Sequence, residues 1–147
     1  MAADALTIFD HLEATLKGTP GLVGQRVYMG LVPGDASVGT VVPPYIFLQP
    51  SPGTPFPERP ASGEPDLRGL VARFYTTVAA SDHRAVLGVA GRLQRLLAGM
   101  RVGSGGVIMP VEMQQEAAVL AMDTTVSPAR PYIALAWTLQ SNTNPTT

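Results

Sequence analysis

The 147-residue sequence contains no cysteine, which excludes disulfides, thiolate metal sites and cysteine nucleophiles and leaves nothing that ties the chain to an oxidising compartment. Charge is scarce too: 14% of the residues are Asp, Glu, Lys or Arg, against about 25% in an ordinary soluble domain. Little of such a surface repels a neighbour. Lysine is nearly missing, with Lys17 alone beside nine arginines. A planar guanidinium suits fixed carboxylate or stacked contacts, so the bias fits a contact surface, although a GC-rich genome produces it as well. The formal charge of −1 gives no basic field to gather phosphates, which argues against a nucleic-acid-binding domain. No apolar run approaches the roughly 18–20 residues of a membrane helix. The N-terminal MAADALTIFD lacks the basic start and long apolar stretch of a signal peptide. A soluble, unprocessed chain that folds inside the cell is therefore expected.

What the chain does have is turn chemistry: 15 Gly and 14 Pro make up nearly a fifth of it. Its length suits a single domain over residues 1–147 with one hydrophobic core. Asp4 is placed to cap a helix running to Lys17, because Ala5, Ile8, Phe9, Leu12 and Leu16 share one helical face and Gly18 follows. Val27, Tyr28 and Met29 form a short strand. Val41–Gln49 reads as another, which starts after Pro43 and Pro44 or lies at a sheet edge, since neither proline donates to a ladder. Residues 50–69 show no periodicity and hold six prolines, so a long Pro-rich loop is expected there.

Leu70–Ala80 alternates as a strand and should pair with the strand before the loop. Ser81 and Asp82 offer N-caps for a second helix to Met100, with Val86, Val89, Ala90, Leu93, Leu96, Leu97 and Met100 as its apolar stripe. A short strand at Val107–Met109 and a closing hairpin of Ala117–Val126 with Tyr132–Gln140 follow, ahead of a polar tail over 141–147. The expected fold is α+β, a mostly antiparallel sheet with two amphipathic helices packed on one face.

Residues suited to catalysis are sparse. His11 and His83 each stand without a second histidine or a carboxylate at ligand spacing, so neither builds a metal site or a catalytic base with an orienting partner. Gly103–Gly106 lacks both the nucleophile-elbow spacing around Ser104 and the Lys-Ser/Thr pair of a phosphate loop, and reads as a hinge. Glu112 and Glu116 would share a helical face only if a helix formed beside Pro110 and Val111, which is unfavourable. Trp137 alternates with Ile133, Leu135 and Leu139 and reads as core. No enzyme, cofactor or metal is expected.

Two groups of residues suit contacts instead. In the Pro-rich segment, Phe56 offers one large apolar anchor and Arg59, Glu64, Asp66 and Arg68 a polar rim, as in an arm that packs on a partner. On the outer side of the second helix, Arg84, Arg92 and Arg95 span three turns. Gly88 lies among them, where glycine costs about 1 kcal/mol relative to alanine and permits another backbone to approach.

The early helix from Asp4 to Lys17, the run Val23-Gly24-Gln25-Arg26-Val27-Tyr28, Pro44-Tyr45-Ile46 opening a strand, the strand Leu70–Ala80, the helix Asp82–Met100 and the strand Tyr132–Gln140 come in an order that resembles the tail terminator, or tail completion, proteins of long-tailed bacteriophages. That resemblance implies a non-catalytic ring, usually a hexamer, that ends tail-tube growth and joins the tube to the neck. Its partners would be further copies of itself, the tail tube protein and a neck, stopper or connector protein. DNA would pass the lumen without sequence-specific binding, and the protein would be assembled in the host cytoplasm and reside in the virion. A head-completion or stopper ring protein is the alternative within this class. A small bacterial enzyme or ligand-binding α+β domain is the alternative outside it.

Overall fold

In a computed structural model of the chain, residues 4–30, 42–58, 66–102, 106–110, 119–125 and 129–141 are described. Helix α1 spans Ala5–Gly18 and helix α2 His83–Leu97. The strands are β1 (Val27–Met29), β2 (Tyr45–Gln49), β3 (Thr54–Glu58), β4 (Asp66–Ala79), β5 (Arg101–Val102), β6 (Gly106–Pro110), β7 (Ala121–Asp123) and β8 (Arg130–Ser141). They form one curled, mixed sheet in the order β1-β2-β4-β8-β6-β5, giving an α+β fold.

Its axis is the antiparallel pair β4 and β8, in register from Leu70 opposite Ser141 to Ala79 opposite Tyr132. Each of these long strands shares its other edge between two short ones. Along β4, β2 pairs with residues 75–79 and β3 with residues 66–71. Along β8, β6 takes residues 137–140 and β7 residues 130–132. The parallel pair is β1 with β2.

Alternation along the central strands decides which face is buried. Ala72, Phe74, Thr76 and Val78 of β4 and Ile133, Leu135, Trp137 and Leu139 of β8 point inward with Ile46 and Leu48 of β2. Ile8, Phe9, Leu12 and Leu16 of α1 and Val86, Val89, Ala90, Leu93 and Leu97 of α2 belong to the same core. Phe9 meets Phe74 edge-on, with ring centroids 5.4 Å apart. The polar group at the centre is matched: the Trp137 indole N–H donates to the buried Thr76 hydroxyl at 2.9 Å. Asp4 caps α1 by accepting from the Thr7 amide and hydroxyl, and Asp82 caps α2 by accepting from the Arg84 amide.

Several sequence expectations are corrected. The 50–69 segment is not a bare loop, because Thr54–Glu58 pairs with the first part of β4, which begins at Asp66 rather than Leu70. Pro55 and Pro57 have the same parity along β3, so their missing N–H groups are accommodated on the edge turned away from β4. The register slips between Phe56 and Glu58, leaving Leu67 and Arg68 opposite Pro57 alone, as in a β-bulge. Before β3 the chain turns at Gly53 with φ +74°, and a Cβ there would come 2.9 Å from the Leu70 side chain.

Strand β2 starts after both prolines, at Tyr45. Helix α2 ends at Leu97 rather than Met100, because Gly99 turns the chain back to pair with Ile108 and starts β5, which alternation over two residues could not signal. Within residues 119–125, the described part of the expected Ala117–Val126 strand, β7 covers Ala121–Asp123. Ser141, expected in the polar tail, ends β8 and is buried. Gly106, expected in the hinge, is a strand residue opposite Val102, where a Cβ would lie 2.5 Å from the Val102 carbonyl oxygen. Residues 103–105, Glu112, Glu116 and 142–147 lie outside the described residues.

Candidate functional site

The side of the sheet opposite the core is built from the alternate residues of the same strands. Across it, Phe47 stands opposite Thr77 and Thr77 opposite Ala134, while Tyr75 lies between Gln49 and Ala136. Arg73 faces Thr138, which faces Met109, and Val71 faces Gln140, which faces Val107. Between residues 71–79 of β4 and 132–140 of β8, with the facing positions of β2 and β6, Arg73 is the one charged residue. Tyr75 is 48% exposed, and Met109 is exposed as well. An open antiparallel face normally alternates to polar and charged residues. Loss of charge with aromatic and methionine enrichment is instead the composition of a protein–protein contact.

At one end of this face, Tyr45, Thr77, Met122, Asp123, Thr125 and Tyr132 line a hollow of about 420 Å³. Tyr45, Asp123 and Thr125 of this lining are already engaged within the chain. Arg130 donates to the Tyr45 hydroxyl at 3.0 Å and lies 5.9 Å from the Tyr45 ring centroid. The Asp123 carboxylate accepts from the Thr125 hydroxyl and amide, and these bonds, with a smaller contribution from Arg130, hold its pKa below the ordinary carboxylate value. The cluster pins the β7–β8 corner rather than presenting convergent free donors to a small molecule.

Neither a protein-family model nor a curated protein matches this chain. The weight therefore falls on where the structure places the residues singled out by sequence. Arg84, Gly88, Arg92 and Arg95 all lie exposed on α2. Arg92 is engaged within the chain: its guanidinium donates to the Gly21 carbonyl in the turn after α1 and to the Gly88 carbonyl. A Cβ at Gly88 would lie 3.4 Å from that guanidinium, at van der Waals contact. Arg84 and Arg95 have no ion-pair partner among the described residues.

Phe56 sits in β3 opposite Gly69, and Asp66 in β4 opposite Glu58. Arg68 is in the bulge, whereas Arg59 and Glu64 lie outside the described residues. Among the described residues, 66–69 of β4 pair only with β3, so the expected arm is a two-stranded ribbon at its base.

His11 is half-buried on α1, and His83 is exposed with its Nδ1 3.5 Å from Asp82 Oδ1. Among the described residues no three His, Cys, Asp or Glu side chains converge as a metal site, and no helix is long and apolar enough to cross a membrane. The outer sheet face was missed by sequence reading. Its signal was available in the outward positions of 70–80 and 132–140, where Tyr, Thr and Ala stand in place of charges.

Proposed function

We propose that this chain is a non-catalytic ring subunit of a phage virion, a tail terminator that caps the tail tube as a hexamer, ends tube polymerisation and joins tail to neck. The observation that carries this reading is the charge-poor outer sheet face, with Tyr75 and Met109 exposed on it, because such a face is stable in water mainly when neighbours cover it. The β3–β4 ribbon supports the same reading, since it extends beyond the part of β4 that pairs with β8 and offers a lever toward an adjoining subunit, the tube or the neck protein. The order of elements read from the sequence resembles that of phage tail terminators.

The experiment is native mass measurement and negative-stain electron microscopy of the full chain, followed by its addition to polymerising tail tube protein. A ring at six times the 15.4 kDa chain mass that arrests tube elongation is expected. A chain that stays monomeric at high concentration and leaves tube growth unaltered overturns the proposal.

A further inference from the structure

The two helices turn surfaces of opposite charge to solvent. On α1 the exposed line is Leu6, Asp10 and Ala14, at four-residue spacing, and its one described ion pair, Lys17 with Glu13 at 2.8 Å, is self-neutralising. Asp10 has no ion-pair partner among the described residues. On α2 the exposed line is Arg84, Leu87, Gly88 and Arg95, with no acidic residue within the helix. Each helix therefore has one exposed leucine beside charge of one sign: Leu6 is 65% exposed next to an acid and Leu87 is 49% exposed next to bases.

Their shapes differ as well. Beside Leu6 lies an apolar groove of about 420 Å³ lined by Ala5, Leu6, Phe9, Met29, Pro50 and Pro52. Leu87, half exposed, stands out from its helix as a knob.

We infer that the α2 face of one copy of this chain docks on the α1 face of another, with Leu87 seated in the groove beside Leu6 and Asp10 paired with Arg84. Residues one helical turn apart have their Cβ atoms about 5–6 Å from each other, so a leucine seated beside Leu6 brings a flanking arginine within reach of Asp10. That arginine is Arg84, three residues before Leu87, whereas Arg95, about 12 Å along the helix from Leu87, adds a longer-range attraction. The occupant is a second copy because knob and groove, base and acid are both carried by one chain. An apolar knob in a groove elsewhere on the same molecule forms a head-to-tail contact that closes into a ring when the rotation allows, or into a two-fold dimer when both contacts form at once. The inference rests on the self-association in the proposed function and does not depend on the ring size.

The test is sedimentation velocity of the full chain over a wide concentration range, using three variants. Leu87→Asp should weaken association by about a hundredfold or more, as for a central anchor, while far-ultraviolet circular dichroism and thermal unfolding stay as in wild type, because the side chain is half exposed. Asp10→Arg and the pair Arg84→Glu with Arg95→Glu should each weaken it about tenfold, more at low salt than at high. Mixed one to one, the Asp10→Arg chain and the Arg84→Glu/Arg95→Glu chain should associate again, because every contact between unlike copies pairs opposite charges. If wild type forms a ring that these variants leave intact, the inference is wrong and the ring reading stands. If wild type forms a variant-sensitive dimer, the inference stands and the ring reading fails. A wild-type chain that is monomeric throughout overturns both.

Discussion

Thr76→Val tests whether the core is organised around the Trp137–Thr76 hydrogen bond. The substitution keeps volume and β-branching but removes the hydroxyl that accepts from the indole N–H at 2.9 Å. Thr76 is 0% and Trp137 2% exposed, so no water replaces the acceptor. An unpaired buried donor costs about 1–3 kcal/mol. At about 2–4 °C per kcal/mol for a chain of this size, the midpoint of about that range lowers the unfolding temperature by about 4–8 °C. Trp137→Phe removes the donor, and in that background Thr76→Val should cost much less, giving a coupling of about 1–2 kcal/mol in a double-mutant cycle. Thr77→Val is the control, because the neighbouring residue faces the other side of the sheet and its change should stay within about 0.5 kcal/mol. Differential scanning calorimetry of the four cycle variants and the control decides it. A Thr76→Val protein that melts with wild type, or a cycle with no coupling, refutes the reasoning.

Excising the distal β3–β4 ribbon, residues 55–68, in favour of a short Gly/Ser turn should leave the monomer's unfolding temperature close to wild type while weakening ring formation or tube attachment, and Phe56→Ala should reproduce part of the loss at about 1–2 kcal/mol; sedimentation and tube-binding assays measure both. Tyr75→Lys on the outer sheet face should block assembly without changing the circular dichroism spectrum, because a lone ammonium there would be desolvated by whatever covers the face. Gly106→Ala should destabilise by more than about 2 kcal/mol in denaturant titration, since its Cβ would meet the Val102 carbonyl and the Ser141 side chain together. Bonds from the Thr7 hydroxyl and amide hold the Asp4 carboxyl below the ordinary value of 3.8, so the stability it contributes is complete above that value and is lost as pH falls through the lower folded value. Asp4→Asn should flatten that acid limb of the stability–pH curve, measured by thermal melts from about pH 5 to pH 2.

The helices and central strands are legible because their burial is one-sided. Ile8, Phe9, Leu12 and Leu16 repeat at the period of a helix, and Phe74, Thr76 and Val78 at that of a strand, so local pattern and tertiary burial agree. Strand β3 is illegible for the opposite reason. Its sequence, Thr-Pro-Phe-Pro-Glu, reads as turn chemistry, and only the pairing with β4 shows that both prolines fall on a free edge where a missing donor costs nothing. The two-residue β5 and the end of α2 are decided by the return of the chain at Gly99 to pair with Ile108, a contact that no window centred on the helix contains.

The candidate surfaces were less legible than the core because contact surfaces are defined by what a fold leaves uncovered. Arg92 illustrates this. On the helical wheel it belongs with Arg84 and Arg95, yet the turn after α1 supplies a carbonyl that takes its guanidinium, and the Gly88 carbonyl accepts from it as well. Two cations are left for a partner instead of three, and the knob beside them is Leu87, which stands next to Gly88 and off the buried stripe of α2. The matching acid, Asp10, and the groove beside Leu6 come from α1, the loop after β2 and the end of β1, which approach one another only once the sheet has formed. Complementarity between two faces of one chain is therefore a property of the folded subunit. Charge-swapped copies that recognise each other and not themselves are its most direct measure, since a solvated pair of helix faces has no means of distinguishing them.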